Sequence, residues 1–339
     1  MPTQRFVTPP RFGYAFDMRN PPQWHKPLPE LYAEHIEFIA WTETIGFGGV
    51  WFAEHHGASD GYLPSPLVMA TAVASRTKRL QIGTSIALAP FYHPVRLAED
   101  TALIDIISNG RFKLALALGY VKAEAEGYGV DFAKRARRTD EMLQIIRRLW
   151  QGECVSFDGE FYRLSNTRIA PLPVSEPMEL WIGGNSRPAY RRAARFGDGF
   201  FGPVECWAPY LEEVRALGGD VSSARLRSIG SQDMWHLVSE NPEETIEEVL
   251  DHIVYQTNSY AEWQEGTSTD AFIRVSRESL RPVAGQWVMT PEQSIAHFRA
   301  KLAVAPMESH AMMVPAGYPL DKLAKHAELF ASKVLPAFG

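Results

Sequence analysis

Cysteine is scarce in this chain: Cys154 and Cys206 are the only two among 339 residues. They form no C-x-x-C pair and offer no disulfide framework, as fits a reducing compartment. Long apolar runs are missing too, and none approaches the ~18–20 residues of a membrane span. An excess of positive charge is absent: 34 Lys+Arg against 40 Asp+Glu leave a net charge of −6 and no electrostatic footprint for nucleic acid. The basic clusters at 134–138 and 187–195 lie in or beside helical patterns, where a solvated face or a local anion site is expected. The opening residues MPTQRFVTPP lack a charged n-region and an apolar h-region, so a cytoplasmic protein is expected. Neither GxGxxG nor a P-loop occurs, which argues against a dinucleotide in a Rossmann crevice.

What is present is regular alternation. Short apolar strands at 12–18, 49–54, 80–88, 111–119, 178–184, 198–203, 225–239 and 310–315 alternate with helical patterns. Helices are expected over 29–47, 65–76, 93–108, 135–150, 186–196, 206–218, 242–259, 290–303 and 319–335. Eight such units require parallel pairing through crossovers and close naturally into a (β/α)8 TIM barrel, here spanning 1–339 as one domain. Two segments interrupt the alternation. Residues 153–176 carry an Asp158-Gly159 turn and read as a β-hairpin insertion. Residues 262–286 are polar and too long for a plain connection, so a lid or binding loop is expected.

Barrel chemistry sits at the C-terminal ends of strands. Those ends carry Asp17, Glu54-His55-His56, Thr84-Ser85, Leu118-Gly119-Tyr120, Gly183-Gly184-Asn185-Ser186 and, on strand seven, His236. Side chains of neighbouring strand residues point to opposite faces, so His55 and His56 do not share one metal from the mouth, and no metal site is expected. His55, at a strand end, suits proton transfer near neutral pH, whereas a bonded structural histidine is the alternative for His56. In GGNSRPAYRRAARFGDG, two glycines let a backbone approach closely, and Asn185-Ser186 open a helix whose N–H groups suit a phosphate, with Arg187 able to add charge. A simple Asn/Ser cap with a packing glycine is the alternative. Aromatic residues around the expected mouth, Tyr62, Phe91, Tyr92, Tyr120 and Trp235, suggest an apolar substrate; His25, Tyr120 and His236 are candidates to line its pocket.

GFGGVWFAEHH, IGTSIALAPFYHPVRLAEDTALIDIISNGRFKLALALG, the RRTDEMLQIIRRLW helix and LWIGGNSRPAYRRAARFGDG together resemble the bacterial luciferase-like, flavin-dependent monooxygenases. The resemblance is close over about 10–205 and loose beyond. It implies that His55 is the catalytic base or acid beside reduced FMN. It implies that Glu54, Leu118, Gly119, Gly183 and Gly184 border the flavin, and that Ser85 and Ile86, joined by a non-prolyl cis peptide, pack against its ring. Ser186 falls on a serine that binds the flavin phosphate, and Asn185 on a glutamate that contacts the flavin through its backbone.

The sequence departs from the family pattern at three places. Ala117 stands at a reactive cysteine and Leu118 at a phosphate arginine. A second phosphate arginine falls among Arg135, Arg137 and Arg138, with Arg138 preferred. The implied activity is oxygenation of a small organic substrate by reduced FMN and O2. With no NAD(P)H fingerprint in the chain, a separate flavin reductase is expected, and the resemblance implies a homodimer paired through early helices. An F420-dependent oxidoreductase of the same superfamily and a non-catalytic flavin-binding barrel are the alternatives.

Overall fold

The computed structural model describes residues 9–230, 233–265 and 272–339. Thirteen strands occur among them: β1 Arg11–Phe16, β2 Gly49–Phe52, β3 Gln81–Thr84, β4 Ala87–Leu88, β5 Phe112–Ala117, β6 Val155–Asp158, β7 Arg163–Thr167, β8 Leu180–Gly183, β9 Gly199–Phe201, β10 Leu226–Ile229, β11 Leu237–Val238, β12 Val288–Met289 and β13 Met307–Met313. Eight of them pair in parallel around a closed ring, in the order β1-β2-β3-β5-β8-β9-β10-β13 and back to β1. The expected barrel is present. Its short strands are buried along almost their whole length, because helices cover the outside while side chains fill the inside.

The helices are α1 Leu28–Thr44, α2 Pro66–Arg76, α3 Pro94–Ser108, α4 Lys122–Gly127, α5 Arg135–Trp150, α6 Arg187–Phe196, α7 Trp207–Ala216, α8 Pro242–Gln264, α9 Arg277–Leu280, α10 Pro291–Val304 and α11 Leu320–Leu329. Proline in the first turn opens several of them, where its missing N–H costs nothing. α3 stops at Asn109, which takes a left-handed conformation at φ 54°, followed by Gly110 at φ 79°. The 153–176 segment forms the expected antiparallel hairpin, β6 against β7.

Three expectations change. Strand seven is far shorter than 225–239: β10 ends at Ile229, residues 231 and 232 lie outside the described residues, and β11 leaves the barrel to pair with β12. α8 continues past 259, because the buried stripe Ile246, Val249, Leu250, Ile253, Thr257, Tyr260, Ala261 and Gln264 keeps helical spacing into the polar segment. The remainder of 262–286 is partly helical, with 266–271 outside the described residues. α4 is a six-residue helix in a stretch where no element was expected.

The lower barrel is filled by two indoles. A Cβ on Gly49 would lie 2.5 Å from the Trp51 ring and one on Gly83 2.9 Å from it, so glycine is required where Trp51 crosses. Beside Trp181 lies an ionic cluster. Arg227 of β10 reaches Gln81 of β3 across the barrel, and Glu179 pairs with both Arg225 and Arg227. The floor is thus closed, and the strands' C-terminal ends are left to form the site.

Candidate active site

β2 ends at Phe52, and the chain runs on through Ala53 and Glu54 to His55, which is buried. His55 Nδ1 lies 2.8 Å from Glu124 Oε1, on α4. A carboxylate only accepts, so Nδ1 carries a proton and Nε2 is the nitrogen left to exchange one. The Tyr120 hydroxyl stands 3.3 Å from Nε2. Glu124 Oε1 also accepts the backbone N–H of His56 at 2.7 Å, fixing the carboxylate from a second side. Around the imidazole stand Tyr62, Tyr120, Tyr260 and Trp263, the last with its ring centre 4.4 Å away. Burial raises the hydroxyl pKa of Tyr62, Tyr120 and Tyr260 above the ordinary tyrosine range, so these rings present neutral O–H groups. The arrangement is a buried histidine–carboxylate pair set among aromatic rings. Glu124 has no motif signal; it comes from 69 residues downstream on a short helix.

Glu54 and His56 face elsewhere. Glu54 Oε2 accepts the Leu88 N–H at 2.7 Å, both carboxylate oxygens accept the Tyr92 hydroxyl, and Oε1 meets His56 Nε2 at 3.0 Å. His56 Nδ1 meets the Tyr128 hydroxyl at 3.0 Å. The side chain of Glu54 therefore ties the end of β2 to β4, and the two histidines turn to separate carboxylates.

β3 ends in Ser85–Ile86, joined by a non-prolyl cis peptide bond. Ser85 N–H donates to Phe52 O, while its Oγ is buried without a hydrogen-bond partner among the described residues. Gly183 closes β8 against this pair: a Cβ there would stand 2.1 Å from Ile86 Cδ1. Gly184, at φ 141°, turns the chain into exposed Asn185 and Ser186, and Ser186 starts the ten-residue α6 with no side-chain cap. Arg187 is turned aside to Glu213, at 2.6 Å. Gly119, after β5 and Leu118, is half-buried at φ 71° and packs against Leu88.

The chain's membership is decided by the model of the luciferase-like monooxygenases, which matches residues 11–282. The chain belongs to the luciferase-like monooxygenase family. It is 32% identical over 200 residues to the oxygenase component of a flavin-dependent trigonelline monooxygenase from Acinetobacter baylyi, a match covering 58% of this chain and 54% of that protein. It is 33% identical over 172 residues to an F420-dependent glucose-6-phosphate dehydrogenase from Amycolatopsis mediterranei, covering 49% and 51%. The luciferase-like chain thus matches about half the length of these curated relatives. Its fold superposes on that of a monooxygenase from Streptomyces bottropensis with a TM-score of 0.77, at 22% identity over 97% of this chain and 100% of that one.

The remaining candidates of this luciferase-like chain fall in different places. Tyr120 joins His55, as stated. His25 is exposed, at the end of the turn Pro22–Trp24. His236 is out of the mouth: because β10 stops at Ile229, it lies under α10, bonded to Ser294 Oγ at 2.7 Å and packed on Phe298. Trp235 bonds Gln256, Tyr92 holds Glu54, and Phe91 stacks on Tyr128. Of the three arginines, Arg138 donates to Pro90 O and lies over the Tyr162 ring, while Arg137 pairs with exposed Glu160. Arg135 is the one at the end of β5, with Nε 3.2 Å from Gly119 O.

Proposed function

We propose that this luciferase-like protein is a monooxygenase that uses reduced FMN and O2 to oxygenate a small organic substrate, with the reduced flavin coming from a separate reductase. The observation that carries the reading is the meeting, at one barrel end, of the His55–Glu124 pair with the Ser85–Ile86 and Gly183 cradle. The cradle fits a flavin on two counts. Ser85 Oγ is buried and unpartnered, and a buried hydroxyl wants a partner that a polar ring edge supplies. The uncapped start of α6 offers the N–H groups of Ser186 and Arg187 and the positive end of a helix dipole to a phosphate, with the Ser186 hydroxyl beside them and Arg135 bonded to Gly119 O at the end of β5.

When bound, the reduced flavin supplies the electrons that turn O2 into one inserted oxygen atom and water. The chain's own residues do the rest. His55 takes or gives a proton at Nε2, and Glu124 fixes its ring and tautomer through Nδ1–H. Tyr62, Tyr120, Tyr260 and Trp263 exclude water and present apolar faces to the substrate. An F420-dependent oxidoreductase is the second reading, favoured by the 33% identity to an F420-dependent relative.

Titration of the purified protein with FMN and with F420, followed by absorbance and fluorescence, is the deciding experiment. Saturable uptake of FMN is expected; tighter uptake of F420 selects the second reading, and uptake of neither sinks both. In a substrate screen, NADH and FMN are expected to give no turnover until a flavin reductase is added. With the reductase present, His55→Ala is expected to lose about 10²-fold or more in rate. Undiminished turnover in that variant would remove His55 from the role.

A further inference from the structure

We propose that Arg19 is a substrate-reading residue, whose free N–H takes a carboxyl-type oxygen on a flat, ring-sized substrate that reacts at its other end beside His55. The proposal deepens the monooxygenase reading and rests on it for the reaction, though not for the binding.

Arg19 follows β1, just after Met18, whose backbone is left-handed at φ 58°. Its side chain is 2% exposed. Nε donates to Asp60 Oδ2 at 2.6 Å, and that same oxygen also accepts the Tyr255 hydroxyl at 2.9 Å. Nη1 is buried and has no hydrogen-bond partner among the described residues. The other nearby carboxylate does not fill the gap, since Asp17 Oδ1 accepts the Arg19 backbone N–H and Oδ2 accepts from Gln256. Burial opposes charge on Arg19, yet the carboxylates of Asp17 and Asp60 hold its pKa above the ordinary value, so it stays a cation. A buried N–H of a cation left unpaired is costly, which points to a partner from outside the chain.

The surroundings identify that partner's shape. The guanidinium centre lies 5.4, 5.3, 5.8 and 5.1 Å from the ring centres of Tyr62, Tyr255, Tyr260 and Trp263. Tyr62, Tyr260 and Trp263 also surround His55. The guanidinium and the imidazole therefore lie against one shared cluster of flat rings, Tyr62, Tyr260 and Trp263. A planar substrate stacks on such a ring cluster, and an oxygen at its far end meets Nη1 in a charge-assisted bond. Asp60 Oδ1 is likewise buried and unpartnered, so an amide N–H beside that oxygen is accommodated as well as a bare carboxylate. Both carry the planar oxygen acceptor the site calls for.

The test is direct binding, by calorimetry and tryptophan fluorescence, of benzoate, benzamide and toluene to the full chain with and without FMN. At least one oxygen-bearing ring is expected to bind 10-fold or more tighter than toluene. Preference for benzoate identifies an anionic substrate, and preference for benzamide identifies an amide that also bonds Asp60. Arg19→Lys keeps the buried cation but removes the fork, and Arg19→Met with Asp60→Asn removes both charges together. Each variant is expected to melt cooperatively, to keep FMN uptake, and to lose the preference while toluene affinity stays. Equal binding of the three probes, no binding of any, or a preference that survives in both variants overturns the proposal. Failure of the wild type to take up FMN counts against the flavin reading alone.

Discussion

At the scale of the residue, the site turns on which nitrogen of His55 is free. Glu124 binds Nδ1–H and the His56 N–H with one oxygen, so the carboxylate orients the ring and leaves Nε2 to the chamber. Glu124→Gln keeps the size and an oxygen for both N–H groups but removes the negative charge that supports a positive imidazole when His55 takes up a proton. A loss of about 10²-fold in kcat is expected, within the ordinary range for positioned proton transfer. FMN uptake and melting temperature should stay near wild type, since Glu124 bonds His55 and the His56 N–H and no residue of the flavin cradle. Measured kcat with an unchanged FMN titration checks this, and unchanged kcat would reduce Glu124 to a structural tie. His55 was readable in the sequence because a strand running into an acid and two histidines is uncommon. Glu124 was not, because its partnership is made only by the fold. Glu54, which the resemblance places beside the flavin, has its carboxylate engaged by Leu88, Tyr92 and His56, a set of contacts made only by the fold.

Elements were legible where periodicity ran long and obscure where it ran short. α5 and α3 matched their sequence spans because a buried stripe and clear boundaries mark them. α4 was missed, since six residues give too little periodicity to read. Strand seven was overread because Met234-Trp235-His236-Leu237-Val238 is apolar enough for a strand, yet after one bridge from Trp235 to Met313 of β13 it feeds β11 outside the barrel. That difference puts His236 into the helical layer, where burial, with His297 and Lys301 adding to it, lowers its pKa to about 3. In the unfolded chain the same ring takes up a proton near pH 6.5. Acidification between about 6.5 and 3 therefore draws protons to the unfolded state, and stability falls as the pH drops through that window. Asp17 works the other way: burial pushes it up to about 6 from 3.8, so it favours the folded state as pH falls across that interval. His236→Gln keeps a donor for Ser294 and removes the titration. Denaturant unfolding at pH 6 and pH 4 should show the variant losing less stability than wild type, by about 1.4 kcal/mol per pH unit. Parallel curves for the two proteins would show that His236 is not the group involved.

At the scale of the whole molecule, closure follows from counting: eight parallel strands, each followed by helix, close naturally into a ring. What counting does not reveal is the outer surface. α2 and α3 lie side by side, and they expose Val68 at 68%, Leu103 at 45% and Ile107 at 47%. Leu103 and Ile107 are one turn apart, so α3 presents them along a single face. Three large aliphatic side chains on one helix pair invite burial against an apolar partner. The occupant we propose is the same pair of helices on a second copy, in accord with the homodimer that the luciferase-like resemblance implies. A two-fold interface places each patch against itself, so one substitution acts twice. Val68→Glu with Ile107→Glu sets like charges across the axis. Both positions are exposed within the chain, so each change should alter its stability by no more than about 0.5 kcal/mol. Sedimentation is expected to give twice the 38.1 kDa chain mass for wild type and a single chain for the double variant, with the melting curve of the variant still cooperative. A wild-type monomer, or a double variant that remains paired, would show that these helices face solvent in the working protein.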